Sequence, residues 1–238
     1  MIRNMQIRSK LIAVLVVPLV ALTVLAAIGI ASNVSHGVQA DRVNDQTAFA
    51  VSLSTLVHEL QRERDLSAGW VGSGRDAGYG GVVAQRVAVN QALDTFRRDV
   101  RNLGSDNPGS AFRKRVDSAV ASLERLDEQR GQIENNPGMT VPQTLDYYSG
   151  VIANLLGVNL EIASQTDDRD LIRNVGTFVS LARLKEATSL ERGLVYAVAS
   201  AGQFAPGEFQ RFATSLGAQD TWRSQFDATA SPEQGARL

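Results

Sequence analysis

Apolar residues recur at steps of three and four along most of this chain, the spacing of one face of an α-helix. Ahead of that periodicity, Leu11 to Ala31 forms a run of 21 residues without a charge, interrupted only by Pro18, Thr23 and Gly29. At about 1.5 Å of rise per residue such a run spans a hydrocarbon core of about 30 Å, so a transmembrane helix is expected over residues 11–31. Arg3, Arg8 and Lys10 precede it with no acidic residue. That bias places residues 1–10 in the cytoplasm and the bulk of the chain outside it, anchored in the cell membrane. A cleaved signal peptide is the alternative, with Val38-Gln39-Ala40 as its small-residue ending.

After the run, a first long helix is predicted from about Asp41 to Val71, with Leu53, Leu56, Val57, Leu60, Arg64, Ser67 and Val71 on one face. Gly72 to Gly81 reads as a glycine-dense loop. A second helix over Val82 to Leu103 turns Val87, Leu93, Phe96 and Val100 inward. Ser110 is an N-cap candidate for a third, with Phe112, Val116, Val120, Leu123 and Leu126 as its stripe, stopped by Asn135-Asn136-Pro137-Gly138. A fourth runs from Val141 to about Thr166 through Leu145, Tyr148, Ile152, Leu155, Leu156 and Leu160. Asp167 or Asp168 caps a fifth that reaches about Ala201, and Phe209, Phe212 and Leu216 begin a sixth. Ser231-Pro232-Glu233 resembles the start of a further helix, so the chain is expected to stop within its domain. No segment alternates with period two and no hairpin signal appears. The expectation is an all-α domain over residues 41–238, built as antiparallel up-and-down helical bundles: two four-helix-bundle-like halves sharing their long helices.

Charge and chemistry narrow the class. Among 238 residues, 24 basic and 25 acidic side chains leave a net charge of −1, which gives no support to a nucleic-acid partner. There are no cysteines and two distant histidines, His36 and His58, so neither a metal centre nor a cofactor is expected. No nucleophile with a nearby base and no zinc-hydrolase motif is present, and Asp167-Asp168 are better explained as caps. The glycines from Gly69 to Gly81 lack the Gly-Lys-Ser/Thr ending of a phosphate loop and follow a helix where a strand is required. Trp70 and Trp222 read as core or interface residues, and Tyr147-Tyr148 as one buried and one exposed ring. The chain reads as non-catalytic.

Two residues break the apolar pattern. Arg64 lies on the stripe of the first long helix, and Arg192 on the stripe Leu181, Leu184, Thr188, Val195 and Ala199 of the fifth. Each sits in the same phrase, Glu63-Arg64-Asp65-Leu66 and Glu191-Arg192-Gly193-Leu194. A charge removed from water needs a partner. That partner is either a carboxylate of a facing helix, for which Glu59, Glu63, Glu186 and Glu191 are available, or an anionic ligand.

The segment Leu60-Gln61-Arg62-Glu63-Arg64-Asp65-Leu66-Ser67-Ala68-Gly69 resembles the first-helix motif of the NIT domain, the nitrate- and nitrite-sensing domain of bacterial receptors. Leu184-Lys185-Glu186-Ala187-Thr188-Ser189-Leu190-Glu191-Arg192 is similar to its second motif. The resemblance implies two helical bundles end to end, and nitrate held by arginines of the two motifs. Carried onto this chain, it nominates Arg64 and Arg192, with Arg62 and Arg173 as further candidates. Ser67 either offers its hydroxyl to the ligand or lets two helices approach. Asp65 departs from the glycine often found at its position, adding a negative charge beside the anion site. A planar guanidinium fork matches the oxygens of nitrate as it does those of a carboxylate, which lysine cannot do. The implied protein is a homodimeric membrane receptor whose anion binding draws the long helices together and passes a shift across the membrane, commonly to a histidine kinase. A chemoreceptor-like sensor for a small carboxylate, and a membrane-tethered helical module without a small ligand, are the alternatives.

Overall fold

The computed structural model describes residues 37–103, 110–163 and 169–236. The described residues are all-helical: α1 (Gly37–Gly72), α2 (Tyr79–Asn102), α3 (Ala111–Leu123), α4 (Leu126–Asn135), α5 (Val141–Ala163), α6 (Arg169–Ala201), α7 (Glu208–Thr229) and the single turn α8 (Pro232–Gly235). The expected membrane span over residues 11–31 and the Asp167-Asp168 cap lie outside the described residues.

Helix α1 is the spine, packing against α2, α5 and α6. Helix α5 packs in turn against α3 and α6, and α6 carries α7 on its far side. The pairs Gln61–Glu186, Asp65–Arg192 and Gly69–Tyr196 advance together along α1 and α6, so these two long helices run parallel. Between α1, α2 and α5 the core is apolar, with Leu53, Leu56, Leu60, Phe96, Leu145, Ile152 and Leu155 all buried. Every member of the predicted α1 stripe is buried, Arg64 included.

Turn chemistry sets the boundaries. Ser110 caps α3 by accepting from the Arg113 backbone N–H at 3.1 Å. The single third helix expected from the sequence is broken at Glu124–Arg125 into α3 and α4. Helix α2 starts three residues before expectation, because Gly78 takes the left-handed conformation (φ 94°) and frees Tyr79 to begin the turn. In the same connection Arg75, also left-handed, donates from Nη2 to the carbonyl oxygens of Ile133, Asn136 and Met139. That clasp ties the α1–α2 turn to the α4–α5 turn. At the end of the chain, Ser231 and Gln234 form a capping box on α8.

Four of the expected faces are corrected. Val87 is 54% exposed, and α2 instead buries Val82, Val89, Leu93, Phe96 and Val100. Leu160 of α5 is exposed. Phe209 is 64% exposed and Leu216 is exposed too, because α7 packs mainly against α6. The fifth-helix stripe is displaced as well: Thr188, Arg192, Val195 and Ala199 face outward, while Ala187, Gly193, Leu194 and Ala197 meet the core.

Candidate functional site

Successive residues of α1 diverge by about 100° around the helix, so Glu63 and Arg64 reach into different sides of the core. Glu63 is fully buried and takes both arms of Arg130 from α4, Nε to Oε1 at 2.7 Å and Nη2 to Oε2 at 2.7 Å. Tyr148 of α5 donates to Glu63 Oε1 at 2.7 Å. Burial and the neighbouring Glu63 carboxylate together push the Tyr148 phenol well above its ordinary pKa, so it stays a donor. Arg130 also reaches Asn90 and Asp127. This closed network braces the half of the molecule formed by α1, α2, α4 and α5.

Arg64 enters the seam between α1, α5 and α6, and its side chain is 0% exposed. Nη1 donates to Glu186 Oε1 at 2.5 Å and to Ser149 Oγ at 3.0 Å. Nη2 donates to Ser189 Oγ at 3.1 Å, and Nε to Asp65 Oδ1 at 3.3 Å. Gln61 steadies Glu186 by donating to its second oxygen at 2.8 Å. Arg192 approaches the same place from α6 and remains 44% exposed. Its Nε and Nη2 hold Asp65 Oδ2 at 2.8 and 2.7 Å, and Nη2 also donates to Ser189 Oγ at 3.1 Å. The two guanidiniums therefore share one hydroxyl and grip opposite oxygens of one carboxylate. Burial raises the Asp65 pKa, and the charges of Arg64 and Arg192 oppose that rise.

On the outer flank of this seam lie further cations. Burial, then Lys185, Arg62 and Arg192 in that order, push the His58 imidazole down to about 3. Burial and Arg192 bring the Lys185 ammonium down to about 8, against the pull of Glu186 and Glu59.

The structure thus brings Arg64 and Arg192 together, although Arg192 reaches in from a rim position and not from the buried stripe. Both are paired with carboxylates, as a purely structural brace would require; their convergence on a single planar group is the added feature. Arg62 is exposed and borders His58 without entering the Arg64–Arg192 pair. Arg173, exposed near the start of α6, pairs with Asp170 and stands apart from the seam. Ser67 is buried on the Glu63 side, its hydroxyl facing the Tyr148 phenol without a full hydrogen bond. Of the four glutamates offered as partners, only Glu186 meets Arg64; Glu59 accepts from Gln85 and Glu191 from Gln219. Ser149, Ser189 and Arg130 were not among the candidates, since nothing in a single serine or an i,i+3 ion-pair pattern marks them in the sequence.

A family model described as nitrate and nitrite sensing (NIT) matches residues 55–238. The nitrate regulatory protein of Klebsiella oxytoca is 26% identical over 198 residues, which is 83% of this chain and 50% of that protein. The solved structure of the NasR transcription antiterminator superposes with a TM-score of 0.73 at 26% identity, covering 81% of this chain and 52% of that one. The chain spans about half the length of each of these relatives. These descriptions are of sensing and regulation and not of catalysis.

The comparisons overturn the membrane-receptor expectation. The relatives are a nitrate regulator and a transcription antiterminator, and no helix among the described residues is long and apolar enough to cross a membrane. The extracytoplasmic placement, the anchoring and the histidine-kinase output fall with it. So does the exclusion of a nucleic-acid partner, drawn from a balanced net charge: that balance describes this chain alone, while the match reaches only 52% of the antiterminator.

Proposed function

Because the chain belongs to the nitrate and nitrite sensing family, we propose that it is an oxyanion sensor module binding nitrate or nitrite between Arg64 and Arg192. The observation that carries this reading is the fork itself: two guanidiniums from parallel helices closing on one planar trigonal group, with Ser189 between them. Nitrate presents the same oxygen geometry as the carboxylate those donors already hold. Bound there, it couples α1 to α6, and a change of 1–2 Å or a small rotation between parallel helices is a known form of signalling transition. The output, by analogy with the antiterminator, is control of transcription through the part of the protein that this half-length match does not reach.

Thermal unfolding with a panel of nitrate, nitrite, acetate, aspartate and chloride tests the reading. Nitrate at a hundred times its Kd should stabilise the protein by about 2.7 kcal/mol. Arg192→Ala should remove that stabilisation while helical content is retained, since Arg192 is the more exposed of the pair. Equal stabilisation of wild type and Arg192→Ala by nitrate would rule the fork out. Preference for acetate over nitrate would reassign it to carboxylates.

A further inference from the structure

Charge counting around the fork leads further, on the assumption that the oxyanion reading above holds. Two cations, Arg64 and Arg192, face two carboxylates, Asp65 and Glu186, and the flanking Lys185 is matched by Glu59, so the cluster is already neutral. A bound anion would leave it with one uncompensated negative charge among side chains of which three of the four are at most 15% exposed, which is unfavourable. One carboxylate has to give up its charge or its place.

Asp65 is the one placed to do so. Its carboxylate lies between the guanidiniums, Oδ1 towards Arg64 and Oδ2 towards Arg192, where a planar oxyanion would receive the same donors. Glu186 touches Arg64 from the other side and is further held by Gln61. Asp65 also occupies a recess that exists only because residue 193 is glycine. A Cβ there would sit 2.6 Å from Asp65 Oδ1 and 3.5 Å from the Leu145 side chain. The charged groups that meet Asp65 are Arg64 from α1 and Arg192 from α6, and α5 presents the apolar Leu145 to the same recess.

We propose that Asp65 is a tethered occupant of the anion position, displaced by the incoming oxyanion with uptake of one proton onto its carboxyl group. The atoms balance simply: anion and proton enter together, the Asp65 ion pairs break, and the cluster stays neutral. Burial already biases this carboxyl group towards its neutral form. Loss of both arginines to the ligand raises its pKa further, so affinity for the anion rises as pH falls through the interval between the ligand-free and ligand-bound pKa values. One proton per ligand gives at most about tenfold in affinity per pH unit.

Isothermal titration calorimetry with sodium nitrate tests this on the wild-type chain and on Asp65→Asn, at pH 5.5 and 7.5 and in buffers of different ionisation enthalpy. The expected wild-type result is tighter binding at pH 5.5 and proton uptake approaching one per nitrate. Asp65→Asn should bind at least tenfold tighter than wild type at pH 7.5 and lose the pH dependence. Asn binding no tighter than Asp, or a wild-type protein that takes up no proton, overturns the proposal while leaving the sensor reading standing. Should Asp65→Asn fail to fold, the wild-type proton count decides alone. Nitrate binding to neither protein at either pH removes the sensor reading and this proposal with it.

Discussion

His58 shows how a single residue reports the electrostatics of the α1–α6 flank. With its pKa pushed down to about 3 from an ordinary 6.5, the imidazole is held neutral in the fold. The unfolded chain takes up that proton near pH 6.5 and the folded one does not. This residue therefore costs nothing above pH 6.5, and stability is lost as pH falls from there through about 3. His58→Gln should flatten the dependence of Tm on pH between 6 and 4, and the wild-type imidazole resonance should show no titration at pH 5 by NMR. A resonance that titrates near 6.5 would show that neither burial nor the neighbouring cations act on it. At this scale Arg64 is legible in the sequence, because a charge on a regular apolar stripe stands out. Arg192 is legible only as half of a repeated phrase. Asp65 reads as a departure from a motif, and its place inside the fork depends on Gly193 of a helix more than a hundred residues away.

Between elements, the approach of α1 to α6 is set by residues without side chains. A Cβ on Gly72 would sit 2.8 Å from the backbone oxygen of Ala197, which cannot swing aside. A Cβ on Gly69 would strike the Tyr196 ring at 2.2 Å, but that ring is exposed and can rotate away. Gly72→Ala should therefore destabilise by about 1–3 kcal/mol in urea unfolding, and Gly69→Ala by clearly less; the reverse order would contradict this account of the seam. Helix existence followed from periodicity for α1, α2, α5, α6 and α7. Faces were less legible where a helix packs mainly against one neighbour, as α7 does on α6, because the apolar residues of such a helix are not forced to one side. The break between α3 and α4 carries no Pro or Gly to announce it.

Taken whole, the molecule divides its charged residues between a brace and a fork. The Glu63–Arg130 pair is buried on both sides, and removing one partner leaves the other unpaired. Arg130→Ala should cost about 3–5 kcal/mol of stability by denaturant titration. The Asp146–Arg211 pair, with both side chains largely exposed, should contribute about 1 kcal/mol or less. An Arg130→Ala variant as stable as wild type would mean that the brace is ornamental. The bundle architecture could be read from patterning; the division of labour could not, because it depends on which of two adjacent charged residues of α1 turns to which neighbour.

The tight α1–α6 contact at Gly69 and Gly72 lies just beyond the fork, one to two turns from Arg64. With backbone touching backbone there, that end of the pair has no slack and acts as a fulcrum. Leverage applied at the arginines would consequently be felt along the opposite arm of α1, towards Phe49, whose ring packs on Phe96 of α2 and Phe112 of α3 at 5.7 and 6.0 Å.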